Sequence, residues 1–212
     1  MNIVYKIVED VEKLINEKKL KVIGIDGPGG AGKTTISQNL KEKLEEQGYK
    51  CIVLHIDDFI TSRSIRYNNS FEEWYCHYVF QWRYNYLVEK ILKPAKARHH
   101  IQDNIEFYEK HTDTYRIEFV NIGKNDIIIL EGIFIQRAEL REYLDYVIYM
   151  DIGREEVIKR VINRDVYIGN KEEILEKYNA RYFPSEDRYC KTVKPKKRAD
   201  FLIENEKWRV DE

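Results

Sequence analysis

Apolar positions along this chain alternate between two periods. At the start, Val4, Ile7, Val8, Val11, Leu14 and Ile15 fall on one helical stripe, which predicts an amphipathic helix over residues 3–19. Residues 21–26, KVIGID, then form a short apolar run that reads as a strand. A second helix follows in KTTISQNLKEKLEEQG, with Ile36, Leu40 and Leu44 four apart and Gly48 as its cap. The runs KCIVLHIDDF, NDIIILEG, DYVIYMD and ADFLIE are apolar almost without interruption, as strands covered on both faces are. Between them, residues 70–94 turn helical, with Ser70 as N-cap, Glu73 three residues later and Pro94 as the stop. Residues 103–122 alternate polar and apolar about a polar turn and read as a hairpin. A short helix lies around residues 138–144, and Val157, Ile158, Val161 and Ile162 mark another. The alternation of strand and helix predicts a single three-layer α/β domain over residues 1–212, with a five-stranded, mainly parallel sheet.

Composition narrows the function. Lys and Arg (36) nearly balance Asp and Glu (37), so no global field recruits nucleic acid or an anionic membrane, and any anion site must be local. The three cysteines, Cys51, Cys76 and Cys190, have no paired spacing, which fits a reducing compartment. No run reaches the length of a membrane span, and the N-terminal helix has acidic residues where a signal peptide would be apolar. The expectation is a cytoplasmic protein.

One stretch carries specific chemistry. In GIDGPGGAGKTT, the residues Gly27, Pro28, Gly29, Gly30, Ala31, Gly32, Lys33 and Thr34 complete the pattern G-x-x-x-x-G-K-[ST] between a strand and a helix. Its glycines let successive N–H groups turn inward on one anion, and the new helix points its N-terminus at the same spot. Lys33 then reaches the outer phosphates, and the Thr34 hydroxyl can coordinate Mg²⁺. Thr35 either shares in this or only starts the helix. The remaining candidates are carboxylates at the ends of strands and basic residues downstream. Asp57 and Asp58 close the second strand and Glu131 the third, at the sheet edge where open α/β folds bind ligands. One carboxylate can accept a hydroxyl proton in phosphoryl transfer and another can hold a metal; the competing reading is that they cap the following segments. Arg160 and Arg164, four apart on one helix face, can steady a transferred phosphoryl group. Trp74, Tyr78 and Trp82 recur at helical spacing in an aromatic-rich segment, either as core or as a surface against a flat acceptor.

With these motifs in place, the chain resembles the uridine kinase and phosphoribulokinase branch of P-loop kinases. GIDGPGGAGKTT, HIDDF, ILEGIF, RVINRD and YCKTVKPKKRADFLIEN occur in that family's order over nearly the whole chain after the first helix. The resemblance implies a P-loop kinase fold with the loop-bearing strand at the centre, a β-hairpin and a helical lid at about residues 160–190. It implies ATP and Mg²⁺ as cofactors and assembly into a homo-oligomer. Asp57 matches the family's base for the acceptor hydroxyl, with Asp58 beside it, and Asp57, Thr34 and Glu131 lie near the metal. Arg160 and Arg164 match the start of the lid. Tyr108 sits where uridine kinases place a tyrosine against the nucleoside.

The departures concern the acceptor. Asp113 falls where the family carries a histidine reading the pyrimidine edge, with His111 close by, and YIGNK replaces an arginine-rich lid run. A carboxylate there would repel an acceptor-rich uracil edge. The expected function is transfer of the γ-phosphate of ATP to a hydroxyl of a small metabolite, with a nucleoside as leading acceptor. The alternatives are another small acceptor, such as pantothenate or a sugar phosphate, or a nucleotide-dependent regulatory protein.

Overall fold

The computed structural model describes residues 3–204. Its centre is a sheet in the order β2–β5–β1–β6–β7, formed by β2 (Cys51–His55), β5 (Ile127–Gly132), β1 (Val22–Asp26), β6 (Tyr146–Asp151) and β7 (Phe201–Glu204). All four neighbouring pairs are parallel, and the strand leading into the glycine loop is the middle one. Strand periodicity divides the side chains between two cores. Ile23, Ile25, Ile129 and Ile148 face one layer, where α1 (Ile3–Asn16) contributes Ile7 and Val11 and α2 (Lys33–Glu46) contributes Ile36 and Leu40. Val22, Ile128, Leu130 and Val147 face the other, against Leu87, Ile91 and Ile105. Burying each such side chain contributes roughly 1.5–3 kcal/mol, which explains why both faces of the inner strands are apolar. The predicted five-stranded parallel sheet is therefore the observed one.

Several boundaries move. The first helix ends at Asn16, short of residue 19, while Val4, Ile7, Val8 and Val11 are buried as the stripe requires. Gly48 adopts φ +87° just beyond α2 and its N–H donates to the Glu45 carbonyl, as a glycine cap does. The hairpin pairs β3 (Ile101–Glu109) with β4 (Thr114–Ile122), in register from Ile101 opposite Ile122 to Glu109 opposite Thr114. The lid region holds helices Arg154–Arg164, Lys171–Lys177 and Phe183–Val193.

The segment expected as one helix over residues 70–94 is instead two. The first begins at Glu73, with Glu72 in the cap position, while the Ser70 N–H is taken by the Asn68 side chain at 3.0 Å. The chain then breaks at residues 81–83, where Trp82 bridges antiparallel to Ile60. The Thr61 N–H donates to the Gln81 carbonyl at 2.9 Å and the Arg83 N–H to the Phe59 carbonyl at 2.7 Å. Pro94 does not end the second helix. Helical backbone runs unbroken through it from Tyr84 to Lys96, and it follows a stretch wound in wider π turns at Val88–Leu92.

Candidate active site

The glycine loop joins β1 to α2 at the carboxyl edge of the sheet. Gly32 takes φ +93° immediately before α2, a conformation that a side chain would strain, and so turns the helix N-terminus into the loop. Lys33 folds back over the loop, its Nζ donating to the carbonyls of Gly27 at 3.0 Å and Pro28 at 2.8 Å. Burial pulls the ammonium below its ordinary pKa, opposed by the carboxylates of Glu131 and Asp26. Beneath the loop, the fully buried Asp26 accepts from the Gly27 N–H at 2.9 Å, Gln136 Nε2 at 2.9 Å and the Tyr189 hydroxyl at 2.5 Å. Burial nevertheless pushes its pKa up.

A cleft of about 810 Å³ runs from this loop to the hairpin and the lid. Gly29, Gly30, Gly32, Lys33 and Thr34 line its floor, and Asp57, Asp58 and Glu131 its sheet-edge wall. Thr34 Oγ1 donates to Glu131 Oε1 at 3.0 Å, and the same oxygen lies 2.5 Å from His55 Nδ1. Burial works against ionisation of Glu131, but the His55 hydrogen bond and the Lys33 charge outweigh it and hold the pKa below the usual carboxylate range. His55 is raised in turn, chiefly by that hydrogen bond. Asp57 opens onto the cleft yet is ringed by protein. Burial, reinforced by Glu131, pushes its pKa up, and the Trp82 indole N–H reaches Asp57 Oδ1 at 3.4 Å. Asp58 is raised too, by burial first.

Thr34, Glu131 and Asp57 offer a hydroxyl and two carboxylates beside the phosphate loop, the hard oxygen donors that suit Mg²⁺. Among the described residues, no three His, Cys, Asp or Glu side chains converge as a complete metal cage. That donor set fits a Mg²⁺ that keeps waters and takes its other ligands from substrate phosphates.

The lid supplies the opposite wall. Arg160 donates to the Gly30 carbonyl at 3.1 Å and to Glu156 at 3.0 Å. Arg164 grips Asp165 through two bonds of 2.6 and 2.9 Å and reaches the Tyr178 hydroxyl at 3.1 Å. Both arginines line the cleft. Glu186, from helix Phe183–Val193, accepts from the Gly29 N–H at 3.1 Å, and burial pushes its pKa to about 7. It lies between the cleft and a smaller cavity of about 170 Å³, which Gly27 and Pro28 also line.

The acceptor side departs from expectation. Tyr108 lines the cleft, its hydroxyl fixed between Arg66 Nη2 at 2.6 Å and Asp113 Oδ1 at 2.8 Å. Asp113 does not line the cleft; it closes the hairpin turn at φ +56° and accepts the Arg63 N–H at 2.9 Å. Trp74 and Tyr78 are also off the cleft. The Trp74 indole bonds Glu72, and the Tyr78 ring packs on Phe134 beneath the Arg137 guanidinium. The break in the helix rotates Gln81 and Trp82 inward in their place. Thr35 is exposed and Ala31 buried, and neither lines the cleft. Sequence reasoning missed His55, Glu186, Arg66 and Tyr67. Of these, His55 had a signal only in strand register, since β2 and β5 place it directly opposite Glu131.

Residues 22–208 match the family described as Phosphoribulokinase / Uridine kinase. A uridine kinase of Bacillus licheniformis is 30% identical over 191 residues, covering 88% of this chain and 86% of that one. A uridine kinase of Bacillus subtilis is 29% identical over 187 residues, covering 86% of this chain and 84% of the relative. Among solved structures, one titled as a possible uridine kinase from Bacillus stearothermophilus superposes with a TM-score of 0.72 at 31% identity, covering 92% of this chain and 99% of that one. A central loop-bearing strand, a phosphate loop closing on a Thr–Glu pair and a helical lid over the same cleft thus agree with the matched sequence: this chain belongs to the phosphoribulokinase and uridine kinase family, as a small-molecule kinase.

Proposed function

We propose that the chain transfers the γ-phosphoryl group of MgATP to a hydroxyl of a small metabolite, and that a nucleoside is the first acceptor to try. The observation that carries this reading is the meeting of the phosphate loop, the Thr34–Glu131 pair and Asp57 in one cleft. The loop amides and Lys33 bind the triphosphate; Thr34, Glu131 and Asp57 would hold a Mg²⁺, which would supply neutralisation of phosphate charge there. Asp57 orients the acceptor hydroxyl and takes its proton. The freed oxygen bonds to the γ-phosphorus as the bond to the β–γ bridging oxygen breaks, and ADP leaves. Arg160 and Arg164 balance the charge spread over the transferred group. The nucleoside assignment draws on the names of the relatives.

A coupled ADP-release assay with nucleosides and other small alcohols as acceptors tests it. Asp57→Asn should lower acceptor-dependent turnover about 10²–10⁴-fold while ATP still binds. Near-normal turnover in that variant would remove Asp57 from the base role.

A further inference from the structure

We infer that the acceptor carries an anionic group, a carboxylate or a phosphate, seated among Arg66, Tyr67, Lys110 and Lys177 on the side of the cleft formed by the lid and the hairpin. The inference rests on the kinase reading and narrows its acceptor. Three cations surround the Tyr67 ring: Arg181 at 4.3 Å, Lys177 at 5.4 Å and Arg66 at 5.5 Å from its centre. Lys110, at the tip of the hairpin, lies 4.0 Å over the Tyr167 ring of the lid. Among the described residues, neither Lys110 nor Lys177 has a carboxylate within ion-pairing distance, and the nearest one to Arg66 is Asp113 at 3.8 Å.

Arg181 makes the imbalance deeper. It is 1% exposed, yet its guanidinium donates only to neutral oxygens: the Arg66 carbonyl at 3.1 Å, the Glu73 carbonyl at 3.2 Å and Gln81 Oε1 at 2.8 Å. A buried cation without a counter-charge is costly, and a nearby anion offsets that cost. The local potential is visible in Tyr67 itself. Burial would raise its phenol, but Lys177, Arg181 and Arg66 together hold it below its ordinary pKa.

Several polar atoms that could read a neutral heterocycle are meanwhile turned to the protein. Gln81 Oε1 accepts from Arg181, His77 Nδ1 is 2.7 Å from Ser185 Oγ, and Asp113 is turned into the hairpin. Of the cleft's carboxylates, Asp57, Asp58 and Glu131 stand together at the sheet edge, Glu186 rests on the Gly29 N–H, and Asp165 is held by Arg164 and Tyr178. A hydroxyl at Asp57 with an anion at Tyr67 matches this division of charge, and a neutral nucleoside uses only half of it.

Matched acceptor pairs differing by one anionic group test the inference with MgATP as donor. The pairs are glycerol and glycerate, ribose and ribose 5-phosphate, and uridine and uridine 3′-monophosphate, which keeps its 5′-hydroxyl free. At least one anionic member should exceed its neutral partner about 10-fold or more in kcat/KM, and which pair responds tells carboxylate from phosphate. Lys177→Met, which keeps the stem packed on Tyr67, and Lys110→Met should each raise KM for that acceptor about 10-fold, with KM for ATP moving far less. Neutral members turned over as well as or better than anionic ones, or an anionic acceptor indifferent to both lysines, would overturn the inference. So would no turnover of any pair by a protein that still binds MgATP in calorimetry. Loss of MgATP binding itself would instead strike at the kinase reading.

Discussion

Glu186 shows how one side chain can set the terms on which a phosphate loop meets its ligand. Its carboxylate rests on the Gly29 N–H, one of the amides a triphosphate would use, and Lys33 and Arg154 lie near enough to favour its charge while Asp187 opposes it. Burial is the larger influence and lifts its pKa from the ordinary 4.5 to about 7. Above that value the carboxylate competes with phosphate oxygens for Gly29; below it the group is neutral. ATP affinity should therefore rise as pH falls through about 7, and Glu186→Gln should bind ATP more tightly at pH 8 with a flatter profile, read by calorimetry against the parent. The same shift has a stability sign. A carboxyl with a raised folded-state pKa holds its proton better folded than unfolded, so stability is lost as pH rises from about 4.5 to 7. The glutamine variant should lose that part of the slope in denaturant titrations at several pH values.

At the scale of elements, the end of β5 shows how tightly the site is fitted. Gly132 has φ +154°, and a Cβ there would collide with the Ile56 side chain, which follows β2 towards Asp57. Gly132→Ala should lower stability by about 2–4 kcal/mol in urea unfolding, because both the backbone and the packing resist it. An unchanged midpoint would mean that this junction gives way easily. What the sequence makes legible follows from range. The glycine loop, its Lys33–Thr34 pair and the inner strands are readable because their signals lie within a few consecutive residues. The helix break at residues 81–83 is not, since its cause is a backbone bridge to Ile60, 22 residues earlier in the chain. His55 and Glu131 are 76 residues apart and meet only through strand register. Trp74 and Trp82 are alike as letters in a helical pattern, and only the break decides which of them faces the cleft.

For the molecule as a whole, the near-cancellation of 36 basic and 37 acidic residues conceals a strong local separation along the cleft. Asp57, Asp58 and Glu131 cluster at the sheet edge, and Arg66, Lys110 and Lys177 on the side of the lid and hairpin. MgATP held as proposed, by the glycine loop and the lid arginines, would bridge elements from β1 to the lid, so its binding should stabilise the entire fold. At 100 times Kd the gain is about 2.7 kcal/mol, which for a chain of this length raises Tm by about 5–10 °C. Lys33→Ala should abolish most of that shift in thermal denaturation, and a variant that kept it would show that the loop is not the anchor.

The short antiparallel bridge at the helix break couples two tasks that could have been kept apart. Phe59–Thr61, which continues the segment bearing Asp57, the proposed proton acceptor, is stitched by backbone bonds to the residues forming the far wall. Shape selectivity and reactivity thus share one hinge of main chain. A lineage that recuts this wall for a new substrate would have to retune its base in the same step.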